Sequence, residues 1–243
     1  MTARAIAAQA RVELLLTLRR GESLLVTLAI PLGILVFFAE VDAVNTTLPD
    51  PVDFLVPGVL ALAVMSSAMV SLGIATGFER RYGVLKRLGS TPLSRGGLLV
   101  AKTANVLALE VLQAVAIVVT GVALGWSPAG GLPAAVGLIL IGTVAFAGIG
   151  MLLAGTLRAE ANLAVANGLF LLLLFLGGMA YPLDRLPDAL EAVARLLPAA
   201  ALSECLRGVL EAGASIDGGE LAVLVFWAIA APLAAARWFR WDE

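Results

Sequence analysis

One carboxylate in this chain sits where carboxylates are costly. Glu110 is the only ionisable residue deep inside an apolar stretch of the 243 residues. At about 100° per residue, Thr103, Gln113 and Thr120 share roughly a third of the helix circumference with it. Such a polar stripe must face protein or water; it can line a path, relay protons or seal a helix–helix contact. A second concentration of chemistry is the run Glu79-Arg80-Arg81-Tyr82-Gly83-Val84-Leu85-Lys86-Arg87-Leu88. Tyr82, Leu85 and Leu88 fall at i, i+3 and i+6, with Val84 beside them, while Arg81, Lys86 and Arg87 project elsewhere. A short helix along the membrane with an apolar stripe and a basic flank suits either a charged tether or a docking element. Much other chemistry is excluded. The chain has no histidine and one cysteine, Cys205, which rules out the usual zinc sites, Cys–His nucleophiles and an intrachain disulfide. Cys205 reads as a small buried hydrophobe. There is no Gly-x-x-x-x-Gly-Lys-Ser/Thr loop and no dinucleotide fingerprint, so no ATPase motif and no cofactor are expected in this chain.

The elements that must position these residues are membrane helices. The chain is 60% hydrophobic and 14% charged, with a mean hydropathy of +0.99, where a soluble domain keeps roughly a quarter of its residues charged. Charges delimit six apolar stretches, giving spans at about 22–39, 54–78, 98–125, 132–157, 161–183 and 219–237 in one transmembrane domain over 1–243. The N-terminal run is longer than a signal-peptide core and reads as an uncleaved span. Thirteen Lys and Arg fall on one side of this arrangement and three on the other. The positive-inside rule then predicts cytoplasmic termini and a cytoplasmic 79–97 loop. Residues 1–20 read as an amphipathic interfacial helix. The long outer loop 184–218 is helix-forming and broken by Pro187 and Pro198. Gly73-x-x-x-Gly77, with Ser66, Ser67 and Ser71, marks the second span for close helix contact. No basic block resembles a nucleic-acid footprint.

In order and topology these pieces resemble the ATP-binding-cassette (ABC) type-2 permease family, across nearly the whole chain. The resemblance is carried by Arg19-Arg20 before a first span containing Pro31, by the 79–88 run leading to Thr91-Pro92-Leu93-Ser94, and by Pro182, Leu186-Pro187, Pro198 and Leu206-Arg207. It implies an all-α membrane protein of six transmembrane helices that pairs with a second copy or a sister permease. It also implies a separate cytoplasmic ABC ATPase subunit, which binds the ATP and Mg. Residues 79–90 would be the coupling helix, with Glu79, Arg80, Arg81, Tyr82, Gly83, Leu85, Arg87 and Leu88 as its contacts, and Arg158–Asn162 a second contact. The helices between spans five and six would cover the exit. The resemblance further implies export of an amphipathic substrate such as a drug, antibiotic or lipid across the cell membrane. From the residues alone, two other classes stand beside it: an ion-coupled secondary transporter using Glu110, and a membrane enzyme or assembly factor. The chain shows no internal repeat of the kind secondary transporters carry.

Overall fold

The computed structural model describes residues 11, 21–40, 51–89, 95–128, 130–179, 181–211 and 215–240. Over these residues the chain is helical, with no strand. Hydrocarbon offers the backbone no partners, and a helix satisfies its polar groups within one segment. Helix α1 is Gly21–Glu40, and α2 is Pro51–Arg81, interrupted by a π-helical turn at Ser66–Ser71. The short α3 (Val84–Gly89) leads to α4 (Arg95–Ala123), α5 (Leu132–Thr156) and α6 (Ala159–Leu176). After them come α7 (Asp188–Ala194), α8 (Pro198–Leu210) and α9 (Gly218–Trp238). Helices α2, α5, α6, α9 and the Ala101–Ala123 part of α4 are each long and apolar enough to cross a membrane. Helix α1 adds a further apolar helix, Thr27–Glu40 being its apolar stretch. The interfacial helix expected over residues 1–20 lies, apart from Arg11, outside the described residues, as do residues 90–94.

Helix α2 is the axis of the fold. Of its apolar stretch 83% is buried within the chain, against 17% for α9. It packs against α1, α4, α5, α6 and α8, and Leu55, Leu62, Met65 and Met69 along it are fully enclosed. The outer helices instead present apolar side chains outward: Val111, Val115 and Val119 on α4, Phe175 on α6, Phe226 and Leu233 on α9. In a membrane such faces meet lipid or another helix at little cost. The 31 residues of α2 rise about 46 Å, well beyond a hydrocarbon layer of ~30 Å. That excess is enough for its last turn, with Glu79, Arg80 and Arg81, to stand clear of the hydrocarbon.

The contact between α2 and α5 is backbone against backbone. A Cβ built on Gly150 would lie 2.5 Å from the Met69 carbonyl oxygen, and one on Gly73 would lie 3.0 Å from that of Gly150. Of the small residues flagged in the second span, Gly73 meets Gly150 on α5 and Gly77 faces Asn162 on α6, whereas Ser71 is exposed.

At the end opposite α3, the chain turns out of α6 at Leu176 rather than continuing to 183. Gly178 has φ +64°, a conformation that favours glycine, and α8 holds the turn. Ser203 Oγ donates to the Gly177 carbonyl at 2.5 Å, and the Arg207 guanidinium donates to the Gly178 carbonyl. Arg207 is 5% exposed. It pairs with Glu204, approaches Glu211 at 3.9 Å and lies 3.8 Å above the Phe54 ring. Burial pushes the Glu211 carboxyl above its usual range, with Arg207 pulling the other way. Nearby, Arg195 bonds Glu191 at 2.9 Å and reaches Glu220 at 3.4 Å, the first of these holding its guanidinium above the ordinary value. Trp227 Nε1 donates to the Leu196 carbonyl at 2.9 Å, tying α9 to the segment before α8. Cys205 is a buried free thiol in this packing.

Candidate functional site: a clamped basic corner and a buried polar seam

The basic corner begins where α2 stops. The Tyr82 N–H still bonds the Phe78 carbonyl at 2.9 Å, and the Gly83 N–H bonds that of Arg80 at 3.1 Å. Gly83 then takes φ +70° and reverses the chain into α3. A side chain there would be strained by its own backbone rather than by neighbours, since a Cβ would meet nothing within 4 Å.

Each charged residue at the end of α2 is fastened to a different element. Glu79 accepts from Lys102 Nζ of α4 at 2.8 Å, an ion pair in which Lys102 is 4% exposed. Arg80 is buried and donates to the Leu157 carbonyl, just past the end of α5, at 2.5 Å. Arg81 pairs with Glu160 at the start of α6. Asn162 Nδ2 reaches back to the Gly73 carbonyl at 2.9 Å. The Arg240 N–H bonds the Gly155 carbonyl at 3.0 Å, so the end of α9 joins the same cluster. The loop expected as a second contact, Arg158–Asn162, therefore lies against the first. The Arg81–Glu160 pair is exposed and worth within about 1 kcal/mol; it orients the corner more than it stabilises it. The pairs from Glu79 and Arg80 are the ones that make the end of α2 rigid with α4 and α5.

The apolar stripe expected on α3 does not form one open face. Leu85 is 1% exposed and turned into the protein, whereas Tyr82 is 66% exposed and Val84 37%. Tyr82 stacks on Phe78 at 6.1 Å. Arg87 and Lys86 face outward, and the side chain of Leu88 lies outside what the structure describes. The stripe is divided because the helix breaks at Gly83: Tyr82 caps the end of α2 and Leu85 belongs to α3, so helical spacing does not carry from one to the other. The open surface of the corner is Arg81, Tyr82, Val84, Lys86 and Arg87, with Arg158 and Glu160 beside it.

The polar stripe of α4 turns inward. Gln113 is 1% exposed, accepts from Ser67 Oγ at 2.7 Å and donates to the Thr27 carbonyl at 3.1 Å. It joins α4 to the π-helical turn of α2 and to α1. Glu110 is 3% exposed and lies 2.6 Å from Thr143 Oγ1 on α5. Thr103 and Thr120 are half-buried. The sequence pointed to the stripe but not to its partners: Ser67 stood out only as one of several small residues of the second span, and Thr143 is a single polar residue in apolar surroundings. Replacing Gln113 by leucine should cost about 0.6–2 kcal/mol, the range for interhelical hydrogen bonds in membranes. A lowered melting midpoint in detergent checks this.

Among the described residues no cluster of Cys, Asp or Glu is placed to hold a metal ion. What the geometry offers is a membrane bundle with a braced corner, and comparison with known proteins agrees. The profile described as ABC-2 type transporter matches residues 4–210. The chain belongs to the ABC-2 type transporter family. YvfS of Bacillus subtilis (strain 168), whose name marks it as a proposed transport permease, is 28% identical over 201 residues, covering 78% of this chain and 79% of YvfS. Membership makes the chain a multi-pass membrane transport protein and accounts for the apolar helices. The matched region takes in the corner, the polar seam and the α8 cap.

Proposed function

We propose that this chain is the permease subunit of an ATP-driven exporter, energised by a separate ABC ATPase that docks on the open face of the basic corner. The observation that carries this reading is the combination at residues 79–87. Tyr82 and Val84 are presented outward, on a platform fastened through Glu79 to α4 and through Arg80 to the end of α5. A mere tether needs charge alone; a platform braced this way transmits a push. Motion of the ATPase would tilt the end of α2 and, through Lys102, carry α4 with it. In this reading α1 is a sixth span, both termini and the corner are cytoplasmic, and the α7–α8 cap stands at the outer mouth. A second copy or a sister permease completes the assembly, and the substrate is an amphipathic drug, antibiotic or lipid. ATP and Mg belong to the partner.

The test is co-purification in mild detergent from the native host, with Tyr82→Glu and Val84→Glu as variants. Leu85 is the wrong position to change, because a charge there would disturb the fold. A stoichiometric ATPase that accompanies the native chain and is lost from the variants, with melting unchanged, is the expected result. An ATPase retained by both variants would move the docking face elsewhere. If no ATPase accompanies the native chain, even after crosslinking, the exporter reading fails.

A further inference from the structure

The neighbourhood of Glu110 contains a hydrogen-bond count that closes in only one way. Thr143 Oγ1 lies 2.6 Å from Glu110 Oε2 and 2.8 Å from the carbonyl oxygen of Ile139, one turn earlier on α5. A threonine hydroxyl has one hydrogen to donate. The Ile139 carbonyl can only accept. Two full hydrogen bonds therefore require the hydrogen of the other contact to come from the carboxyl. The remaining oxygen, Oε1, is buried and has no hydrogen-bond partner among the described residues. That is tolerable for the carbonyl end of a neutral acid and far more costly for half of a carboxylate.

Among the described residues no charge compensates. The elements packed against α4 are α1, α2 and α5. Helix α1 has no ionisable residue between Glu22 and Glu40, α2 has none between Asp53 and Glu79, and α5 has none at all. On α4 itself the nearest ionisable residue is Lys102, about two turns away and paired with Glu79.

We infer that Glu110 carries a proton in this conformation and donates it to Thr143, making the α4–α5 contact a proton-held latch. The chain of bonds runs from the Glu110 hydroxyl to Thr143 Oγ1 and from the Thr143 hydroxyl to the Ile139 carbonyl. When α4 and α5 part and water enters, the O–H bond of Glu110 breaks, the proton passes to water, and the carboxylate that remains favours the hydrated, separated state. Closure takes the proton back. The inference depends on the packing of α4 against α5 and not on what the protein transports.

Infrared difference spectra of native protein against Glu110→Gln in lipid at neutral pH are the direct test. The expected result is the carbonyl stretch of a neutral carboxylic acid, shifted in Thr143→Val and restored in Thr143→Ser. The paired stretches of a carboxylate would overturn the inference, including the variant in which the Thr143 hydrogen is shared between two acceptors. Thermal melting supplies a second readout. Native protein should lose stability relative to Glu110→Gln as pH rises from the ordinary carboxyl range through neutral, because there the unfolded chain releases the proton that the latch still holds, and the loss should level off once the latch itself deprotonates. Parallel curves would overturn the latch.

Discussion

Replacing Gly150 by valine is expected to prevent the folded protein from accumulating, while alanine at Gly137 on the same helix is tolerated or mildly stabilising. Both positions lie on α5, in the same apolar setting and with the same intrinsic preference for a side chain over glycine. That preference favours alanine by roughly 0.5–1 kcal/mol in a helix interior. At Gly137 a Cβ meets nothing within 4 Å, so only the preference acts. At Gly150 the Cβ would lie 2.5 Å from the Met69 carbonyl oxygen and 3.0 Å from its Cα. Backbone cannot rotate away as a side chain can, so α2 and α5 must separate. Separation would open the contact around Gly73 and carry Ser67 away from Gln113 on the neighbouring turn. Overpacking of a core typically costs about 1–3 kcal/mol; with backbone as the obstacle the upper end or more applies. Fluorescence-detected size-exclusion profiles and melting midpoints of Gly137→Ala, Gly150→Ala and Gly150→Val should fall in that order. Equal behaviour at the two sites would mean that the helices do not meet at Gly150.

Arg207→Ala is expected to be the most damaging change to a charged residue, at about 3–5 kcal/mol. That is the cost of removing one partner from a buried ionic group. Arg207 is buried, with Glu204 and Glu211 beside it, the Gly178 carbonyl accepting from it and the Phe54 ring beneath. Removing the guanidinium strands the carboxylates at the root of α8 and frees the turn after α6. Lysine at 207 keeps the charge but not the fork, and should recover part of the loss. The discriminating variant is Arg207→Met combined with Glu204→Gln. A neutral pair leaves fewer uncompensated charges, so it should melt higher than Arg207→Met alone. If the single and double variants melt together, Arg207 acts through packing on Phe54 and not through its charge.

Several parts of this arrangement were legible before any coordinates. The helices Pro51–Arg81, Leu132–Thr156 and Gly218–Trp238 begin and end within a few residues of three of the apolar stretches that the charges bound. The fifth ends earlier, at Leu176, because the residues after it are still apolar and only the positive φ of Gly178 ends the helix. Composition sees hydrophobicity, not the sign of a dihedral. The polar stripe on α4 was visible in the spacing of Glu110 and Gln113, and so was its need to avoid lipid, but not its partners Ser67, Thr27 and Thr143, which lie on other helices. The α3 stripe split for another reason: the chain reverses at Gly83, so Tyr82 ends α2 facing out while Leu85 sits on α3 facing in, and helical spacing does not run across the turn. The clamps at the corner link residues far apart in sequence, such as Arg80 with Leu157 and Gly73 with Asn162, and no local pattern carries such pairs.

The π-helical turn at Ser66–Ser71 has a consequence for how proteins of this kind diverge. Such a turn holds one residue more than the α-helix would use, and each residue of an α-helix corresponds to about 100° of rotation. Loss of a single codon from this short stretch would let α2 close into an unbroken α-helix. Everything beyond it, from Gly73 to the clamped corner, would keep its orientation against the half that carries Leu55 and Leu62, because the turn already absorbs the extra residue; the same loss elsewhere in α2 would swing the two halves apart by about 100°. The gene thus holds a place where the smallest in-frame change in length leaves both ends of the molecule aimed as they are.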